Sequence, residues 1–419
     1  MKPFQTIILA AGRGVRMKSV TPKMLHPVCG KPIVQYVIDV ARALRSLKIY
    51  VVLGFKHEVV RRSLSQDLQV VIQKKLLGTA DAVRCVEHFL KRFKGDVLIL
   101  CGDTPLLTVE TVRRVVQKHQ TTGAACTFLT TDVDRPHGYG RIIRDQNNKV
   151  IAIREEKDAS PVEKEISEIN VGVYCFRAGI LFEFLKAVKL NPKKKEFYLT
   201  DITGLLVQKG AQIETIQTAD DYEGLGINTR EDLSFAESLI RKKILRRFMF
   251  EGVTITDPQT TYIDADVKIS ADTVIRPFTV IEQNVRIGRR CLIGPFCHLR
   301  PGTRITDDVE IGNFTEVSRT EIGEGSLMKH FGFLGDAKLG RRVNIGAGTV
   351  TANFDGKNKN TTTILDDAFI GSDSILVAPV KIGKKAATGA GCVVSPGRNV
   401  PDGQVAVGIP ARVIARRKF

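Results

Sequence analysis

From residue 263 onward an aliphatic side chain recurs at every sixth position: Ile263, Ile269, Ile275, Ile281, Ile287, Ile293, Leu299, Ile305, Ile311 and Val317. The phase slips by one and resumes at Ile322, Met328 and Leu334, then at Leu339 and Ile345. After an insertion it returns as Ile364, Ile370, Leu376 and Ile382. Positions four further on tend to be small or β-branched, as in Val267, Thr273, Thr279, Val285, Val309 and Thr315. A period of six fits neither the 3.6 of an α-helix nor the simple alternation of a strand. Three such units make one coil of about 18 residues, triangular in section, that stacks on the next as a parallel β-helix around a central aliphatic ladder. This pattern constrains the fold tightly and says little about chemistry. The interruption at 351–363 is polar and turn-rich, so it predicts a loop thrown out from the solenoid, where function tends to concentrate.

The first half reads differently. Short apolar runs at 6–9, 49–53, 69–72, 97–100, 125–130 and 171–176 alternate with helical patterns such as 34–45 and 109–119. That alternation predicts an α/β domain with a largely parallel sheet, whose ligands bind beyond the C-terminal ends of the strands. The polar stretches just past those ends are 12–23, 73–79 and 101–103. In the first of them Gly12 and Gly14 let the backbone approach a ligand and expose its N–H groups, while Arg16 and Lys23 can neutralise phosphate oxygens. The layout suits a triphosphate. It is neither a Walker A loop, lacking Gly-Lys-Ser/Thr, nor a dinucleotide fingerprint, lacking the third glycine. The competing interpretation is a tight turn beside solvated cations.

The formal charge of +18 is uneven: the first hundred residues hold 18 Lys and Arg against 6 Asp and Glu. A basic field there concentrates polyanions. No aromatic-rich stacking segment accompanies it, so small phosphorylated substrates fit better than nucleic acid. No apolar run reaches membrane length and no secretory pattern opens the chain. The eight scattered cysteines form no metal-ligand spacing, which makes a reduced, cytoplasmic compartment the default. Residues 229–250 predict one helix, capped by Asn228 with Glu231 three residues on. Its apolar stripe is Leu233, Ala236, Ile240, Ile244 and Phe248, and its wet face is Arg241, Lys242, Lys243, Arg246 and Arg247. A spacer between two domains is the expected role, with attachment to a membrane surface as the alternative. The expected organisation is therefore 1–228, a linker helix at 229–250, and 251–419.

Eight motifs occur in order along the first half: Leu9-Ala10-Ala11-Gly12-Arg13-Gly14 with Pro22-Lys23, Gln73 with Gly78-Thr79, Gly102-Asp103, Gly138-Tyr139-Gly140-Arg141, Glu155-Glu156, Glu168-Ile169-Asn170, Glu196-Phe197-Tyr198 and Gly226-Ile227-Asn228. Together they resemble the bacterial bifunctional N-acetylglucosamine-1-phosphate uridylyltransferase and glucosamine-1-phosphate N-acetyltransferase family. The resemblance implies a Rossmann-like nucleotidyltransferase domain, the linker helix, and a left-handed parallel β-helix of hexapeptide repeats. It also implies that UTP lies on Leu9, Ala10, Ala11, Gly12 and Gly14, with Arg16 and Lys23 against its phosphates and Gln73, Gly78 and Thr79 at the uracil. Asp103 and Asn228 would hold Mg²⁺, and Gly138, Glu155, Asn170 and Asn228 would contact the sugar phosphate. Two positions depart from the family: Cys101 stands for a tyrosine and Val171 for a threonine.

The solenoid carries further family motifs, and these imply an acetyl-transfer site. His330 would be the general base that takes a proton from the sugar amine attacking acetyl-CoA. Arg300 and Lys359 would hold the sugar phosphate, Asn344, Asn353 and Phe354 would lie around the sugar, and Ser372 and Ala390 would line the coenzyme A cleft. Ser318 stands where the family has a phosphate-binding lysine, and Phe333 and Phe354 replace tyrosines. Arg319 could stand in for that lysine only in a reshaped coil, because neighbours on a strand face opposite sides. A homotrimer with shared acetyl-transfer sites is implied as well. A nucleotidyltransferase with only a scaffolding β-helix, and a non-catalytic regulatory subunit, are the alternatives.

Overall fold

The computed structural model describes residues 1–134, 136–218 and 220–414. They form two compact units, divided between Glu237 and Ser238.

The first unit is built on a nine-stranded sheet. Across it run Ile213–Gln217, Cys126–Asp132, Glu168–Arg177, Asp96–Cys101, Phe4–Ala10, Ile49–Leu53 and Gln69–Ile72, with the hairpin Arg141–Arg144 and Val150–Arg154 attached to Glu168–Arg177. Phe4–Ala10 is central and its pleat sends successive side chains to opposite layers. Ile7 packs with Val97, Ile99, Phe128, Tyr174 and Phe176 on one face. Ile8 and Ala10 pack with Leu98, Leu100, Leu129, Val173 and Cys175 on the other. A strand covered on both faces needs a continuous apolar run rather than alternation, which is what 6–9 and 97–100 supply.

The expectation of a largely parallel sheet needs one correction. Phe4–Ala10 is parallel to Ile49–Leu53 and to Asp96–Cys101. Glu168–Arg177, however, runs antiparallel to both Asp96–Cys101 and Cys126–Asp132. A doubly buried apolar run carries no mark of direction, so the sequence pattern could not distinguish the two. The register of this strand shifts between Asn170 and Tyr174, where Gly172 takes a φ of 80°. A side chain there would place its Cβ 2.5 Å from Cys101 Sγ. Glycine thus permits the bulge that brings this strand close to the end of Asp96–Cys101.

The helix Arg230–Phe250 follows the sequence pattern, with Ala236, Ile240, Ile244, Leu245 and Phe248 buried. Its cap is not Asn228 with Glu231. Thr229 Oγ1 accepts from Asp232 N at 3.1 Å, while Asp232 Oδ2 accepts from Thr229 N and Asn228 N at 2.8 Å each. The reciprocal cap therefore sits one residue later, and the Asn228 side chain is left for another use.

The second unit is the β-helix. Its short strands, parallel except for Arg412–Ile414, stack into sheets of ten, eight and seven, the three-sided arrangement of the left-handed parallel β-helix expected from the repeat. Every aliphatic of the six-residue ladder is buried, from Ile263 to Ile382. So are Val267, Thr273, Thr279, Val285, Val309 and Thr315. Equivalent positions on successive coils are 18 residues apart at Arg290 and Asp308, 17 at Arg319 and Asp336, and 25 at Arg342 and Asp367. The phase slip thus shortens a coil by one residue, and the polar insertion lengthens another. Phe354 and Lys359 bridge across that inserted loop, and Asp355 organises its tip by accepting from Lys357 N and Asn358 N. Corner residues form columns. Phe278, Phe296 and Phe314 stack at 4.7 and 5.0 Å between ring centroids.

Candidate active site

Parallel pairing brings the ends of Phe4–Ala10, Ile49–Leu53, Gln69–Ile72 and Asp96–Cys101 to one edge of the first unit. Ala10 lies beside Leu53, Leu53 beside Ile72, and Leu9 beside Cys101. The chain leaving each end is polar. Gln73 N bonds back to Leu53 O and Gly102 N to Leu9 O, so these segments turn over the same edge. The result is a cavity of about 600 Å³ lined by Leu9, Ala11, Gly12, Gly14, Arg16, Lys23, Gln73, Gly78, Thr79, Asp103, Glu155 and Asn228. An adjoining cavity of about 230 Å³ shares Arg16, Asp103, Glu155 and Asn228 and adds Gly138, Asn170, Thr200 and Tyr174. Arg16, Lys23 and Asp103 therefore face one space. Ala10 does not reach it, because its side chain lies in the core layer below.

At the floor, Lys23 Nζ donates to Asp103 Oδ2 at 2.5 Å and to Asn228 Oδ1 at 3.2 Å. Only 8% of Lys23 is exposed. Gly14, at φ 60°, makes room for it: a Cβ there would lie 2.7 Å from Lys23 Cβ. Ile227 N bonds to Asp103 O at 2.9 Å, which seats Asn228 beside Asp103 across a long sequence interval. Two hard oxygen donors thus converge on one position already taken by a cation. That donor set fits Mg²⁺, which takes one or two protein carboxylate-type ligands and completes its shell with phosphate and water. Among the described residues no group of three or more His, Cys, Asp or Glu could hold a metal.

Gln73 is buried, and its amide donates to Gly78 O at 3.0 Å and Asp81 Oδ2 at 2.8 Å. It braces the Gly78–Thr79 turn and retains only acceptor capacity. In the smaller cavity Asn170 donates to Tyr174 Oη at 2.6 Å and accepts from Gly172 N at 3.1 Å, so the bulge and the asparagine define one another. Glu155 accepts from Thr200 Oγ1 at 2.9 Å. Burial, with further help from Asp201, Asp158 and Glu196, pushes its carboxyl above the usual range against the lowering effect of Thr200. Cys101 is pushed up to about 12, first by burial and then by Asp103, so it is a neutral thiol there. The sequence reading gave no role to Tyr174, Thr200 or the lining residue Tyr198. Tyr198 belongs to the Glu196-Phe197-Tyr198 motif and Thr200 follows it by two residues, which was the available signal, whereas Tyr174 sits in an apolar run that signals only core.

In the β-helix the expected residues fall on two columns. His330, Ser372 and Ala390 are exposed and occupy equivalent turns, joined through Gly348 N to Phe331 O, Asp373 N to Ala347 O and Gly391 N to Ser372 O. Asn344 opens a strand of the ten-stranded sheet. Arg300 lies on another column, above Ser318, and pairs with Glu316 at 2.7 Å. Next to it Arg319 grips Asp336 through two bonds of 2.6 and 2.9 Å, and Asn353 donates to the same carboxylate. Arg319, then Asn353 and Lys359, hold Asp336 below the usual range. Ser318 is buried, and its hydroxyl accepts from Arg319 Nη1 at 2.8 Å. Arg319 does not alternate away from Ser318, because its φ of 48° turns the chain out of the strand. A positive φ recurs at the matching corners Asn284, Gly302 and Asp336, so Arg319 occupies an ordinary corner of the coil. Phe354 is exposed at the inserted loop.

Comparison with known proteins agrees with both units. A nucleotidyl transferase family model matches residues 5–225. A bacterial transferase hexapeptide model of six repeats matches 284–319, and a hexapeptide repeat of succinyl-transferase matches 362–396. A bifunctional protein GlmU from Shouchella clausii is 43% identical over 422 residues, spanning 93% of each chain. Those of Pelobacter propionicus and Pelotomaculum thermopropionicum are 41% and 44% identical, spanning 97% and 90% of this chain and 96% and 89% of theirs. Matched in both domains and over nearly its whole length, this chain belongs to the bifunctional GlmU family, as a transferase with uridylyltransferase and acetyltransferase halves.

Proposed function

We propose that the cavity at the sheet edge is where uridylyl passes from UTP to N-acetylglucosamine-1-phosphate, giving UDP-N-acetylglucosamine and pyrophosphate. The observation that carries this reading is the convergence of the Gly12–Gly14 turn, Arg16, Lys23, Asp103 and Asn228 on one space. The backbone of the turn and the two cations hold the triphosphate. Gln73, with only acceptor capacity left, suits the N3–H of uracil. Asn170, Glu155 and Gly138 hold the sugar in the adjoining cavity. A sugar phosphate is already an anionic nucleophile, so its oxygen attacks the α-phosphorus in line and pyrophosphate leaves, with no general base required. Asp103 and Asn228 would hold Mg²⁺, which neutralises phosphate charge.

The β-helix acetylates glucosamine-1-phosphate. In our reading the amine attacks the acetyl-CoA carbonyl, His330 takes the amine proton, and the C–S bond breaks to release coenzyme A. Arg300, Arg319 and Lys359 supply positive charge for the phosphate, with Asn344, Asn353 and Phe354 near the sugar and Ser372 and Ala390 along the coenzyme. Arg300 and His330 lie on different columns of one chain. A site using both is supported by a homotrimer in which neighbouring β-helices share it. A cytoplasmic location suits UTP and acetyl-CoA as substrates. Among the described residues no helix is long and apolar enough to cross a membrane.

The test is one reaction containing UTP, glucosamine-1-phosphate, acetyl-CoA and Mg²⁺. UDP-N-acetylglucosamine forms only if both halves work. His330→Ala stops that reaction but leaves synthesis from N-acetylglucosamine-1-phosphate intact. Loss of both together, in a folded variant, contradicts the assignment.

A further inference from the structure

We propose that Lys23 is the resident cation of the metal position, and that the divalent ion enters only as the triphosphate draws Lys23 away. This rests on the reading of Asp103 and Asn228 given above. The geometry is specific. The Lys23 ammonium takes the same two oxygens that a divalent ion needs, at 2.5 Å from Asp103 Oδ2 and 3.2 Å from Asn228 Oδ1. It is buried, so bulk water does not screen it well, and it fits there because no Cβ stands at Gly14. Two positive centres cannot share those oxygens, because at such separations their repulsion is large in any protein dielectric. Metal and ammonium are therefore alternatives.

The same cavity offers Lys23 somewhere to go. Gly12, Gly14 and Arg16 line it beside Lys23, and the flexible four-carbon stem of a lysine lets its charge move several ångströms while the backbone stays fixed. A triphosphate on the glycine turn supplies the replacement anion. Each exchange then favours the other: phosphate takes the ammonium, and the carboxylate and amide oxygens are freed for the ion. Linkage requires this coupling to be reciprocal, so the ion raises nucleotide affinity by the factor by which nucleotide raises ion affinity. The site without nucleotide is thereby kept charge-balanced and closed to stray divalent ions. Metal arrives with its substrate rather than ahead of it.

The experiment measures Mn²⁺ binding to the full chain by the electron paramagnetic resonance signal of free Mn²⁺, first without nucleotide. Lys23→Met removes the competitor, and Mn²⁺ should bind on the order of tenfold more tightly than to the wild type. Arg16→Met removes a charge from the same cavity without freeing a ligand, and should shift affinity by less than about threefold. Adding UTP should tighten Mn²⁺ binding more in the wild type than in Lys23→Met. Asp103→Asn tests the underlying site separately. If it leaves Mn²⁺ binding unchanged, the metal site itself is wrongly assigned. If it weakens binding while Lys23→Met does not tighten it, or Arg16→Met tightens it equally, the exchange is overturned and the site stands. Lys23→Gln repeats the measurement with the charge removed and a donor kept, which covers the case in which the methionine variant fails to fold.

Discussion

Lys23 and Asp103, 80 residues apart in the chain, meet through a 2.5 Å charge-assisted hydrogen bond at the C-terminal edge of the first sheet. Neither is placed there by local structure alone. Asp103 follows the end of Asp96–Cys101, and Lys23 opens a single turn of 3-10 helix after Pro22. What brings them together is the parallel register of two central strands and a glycine that clears the way.

That glycine gives the first prediction. In Gly14→Ala a methyl group would enter at 2.7 Å from Lys23 Cβ on a backbone of φ 60°. Strain of about 1–3 kcal/mol in the turn proposed to hold the triphosphate should lower kcat/KM for uridylyl transfer by about 10- to 100-fold. Acetyl transfer, measured in the same preparation, should be unchanged.

Arg141 is fully buried and pairs with Glu156 at 2.8 Å, while donating to Tyr139 O and Lys164 O. Glu156 in turn accepts from Gly138 N at 3.2 Å. Glu156→Ala strands a buried guanidinium and should cost about 3–5 kcal/mol in denaturant unfolding. Arg141→Met leaves a carboxylate that water can reach, and should cost less. Equal losses in the two variants would mean that the pair is not held as described.

Glu155 carries a pH signature. Its folded pKa is raised, so the protein bears a penalty for ionising it. The penalty is absent below the ordinary carboxylate range, develops as pH rises through the folded pKa, and persists above it. Glu155→Gln should therefore raise Tm at pH 8 relative to the wild type, and the gain should shrink toward pH 4. The same variant should raise KM for the sugar phosphate and leave that for UTP nearly unchanged.

In the β-helix, Leu334 belongs to the buried ladder and Phe331, three residues before it, is 55% exposed. Leu334→Ala should cost about 2–5 kcal/mol of unfolding free energy. Phe331→Ser should stay within about 0.5 kcal/mol of neutral. Calorimetry that resolves the second unit's transition checks both.

The ladder was legible because burial in a stacked coil imposes a period, and Ile263 through Ile382 kept it through a slip and an insertion. The cavity-lining glycine turn was legible because its glycines and cations follow a strand directly. Strand direction was not, since an apolar run such as 171–176 packs equally well either way. Nor was the cap at Thr229: Asn228 and Thr229 are both capable cap residues, and Asn228 is instead engaged by Lys23, 205 residues away in sequence. The Arg319 grip on Asp336 follows from a 17-residue coil offset that becomes evident only once the coils are stacked.

The most direct measurement is a crystal structure of the full chain with UTP and Mn²⁺, read through the anomalous signal of manganese. The account predicts a peak about 2.0–2.3 Å from both Asp103 Oδ2 and Asn228 Oδ1. The triphosphate should lie on the Gly12–Gly14 turn, with Lys23 Nζ moved onto its oxygens. Nucleotide bound away from that turn, or manganese held without Asp103 and Asn228, would contradict it.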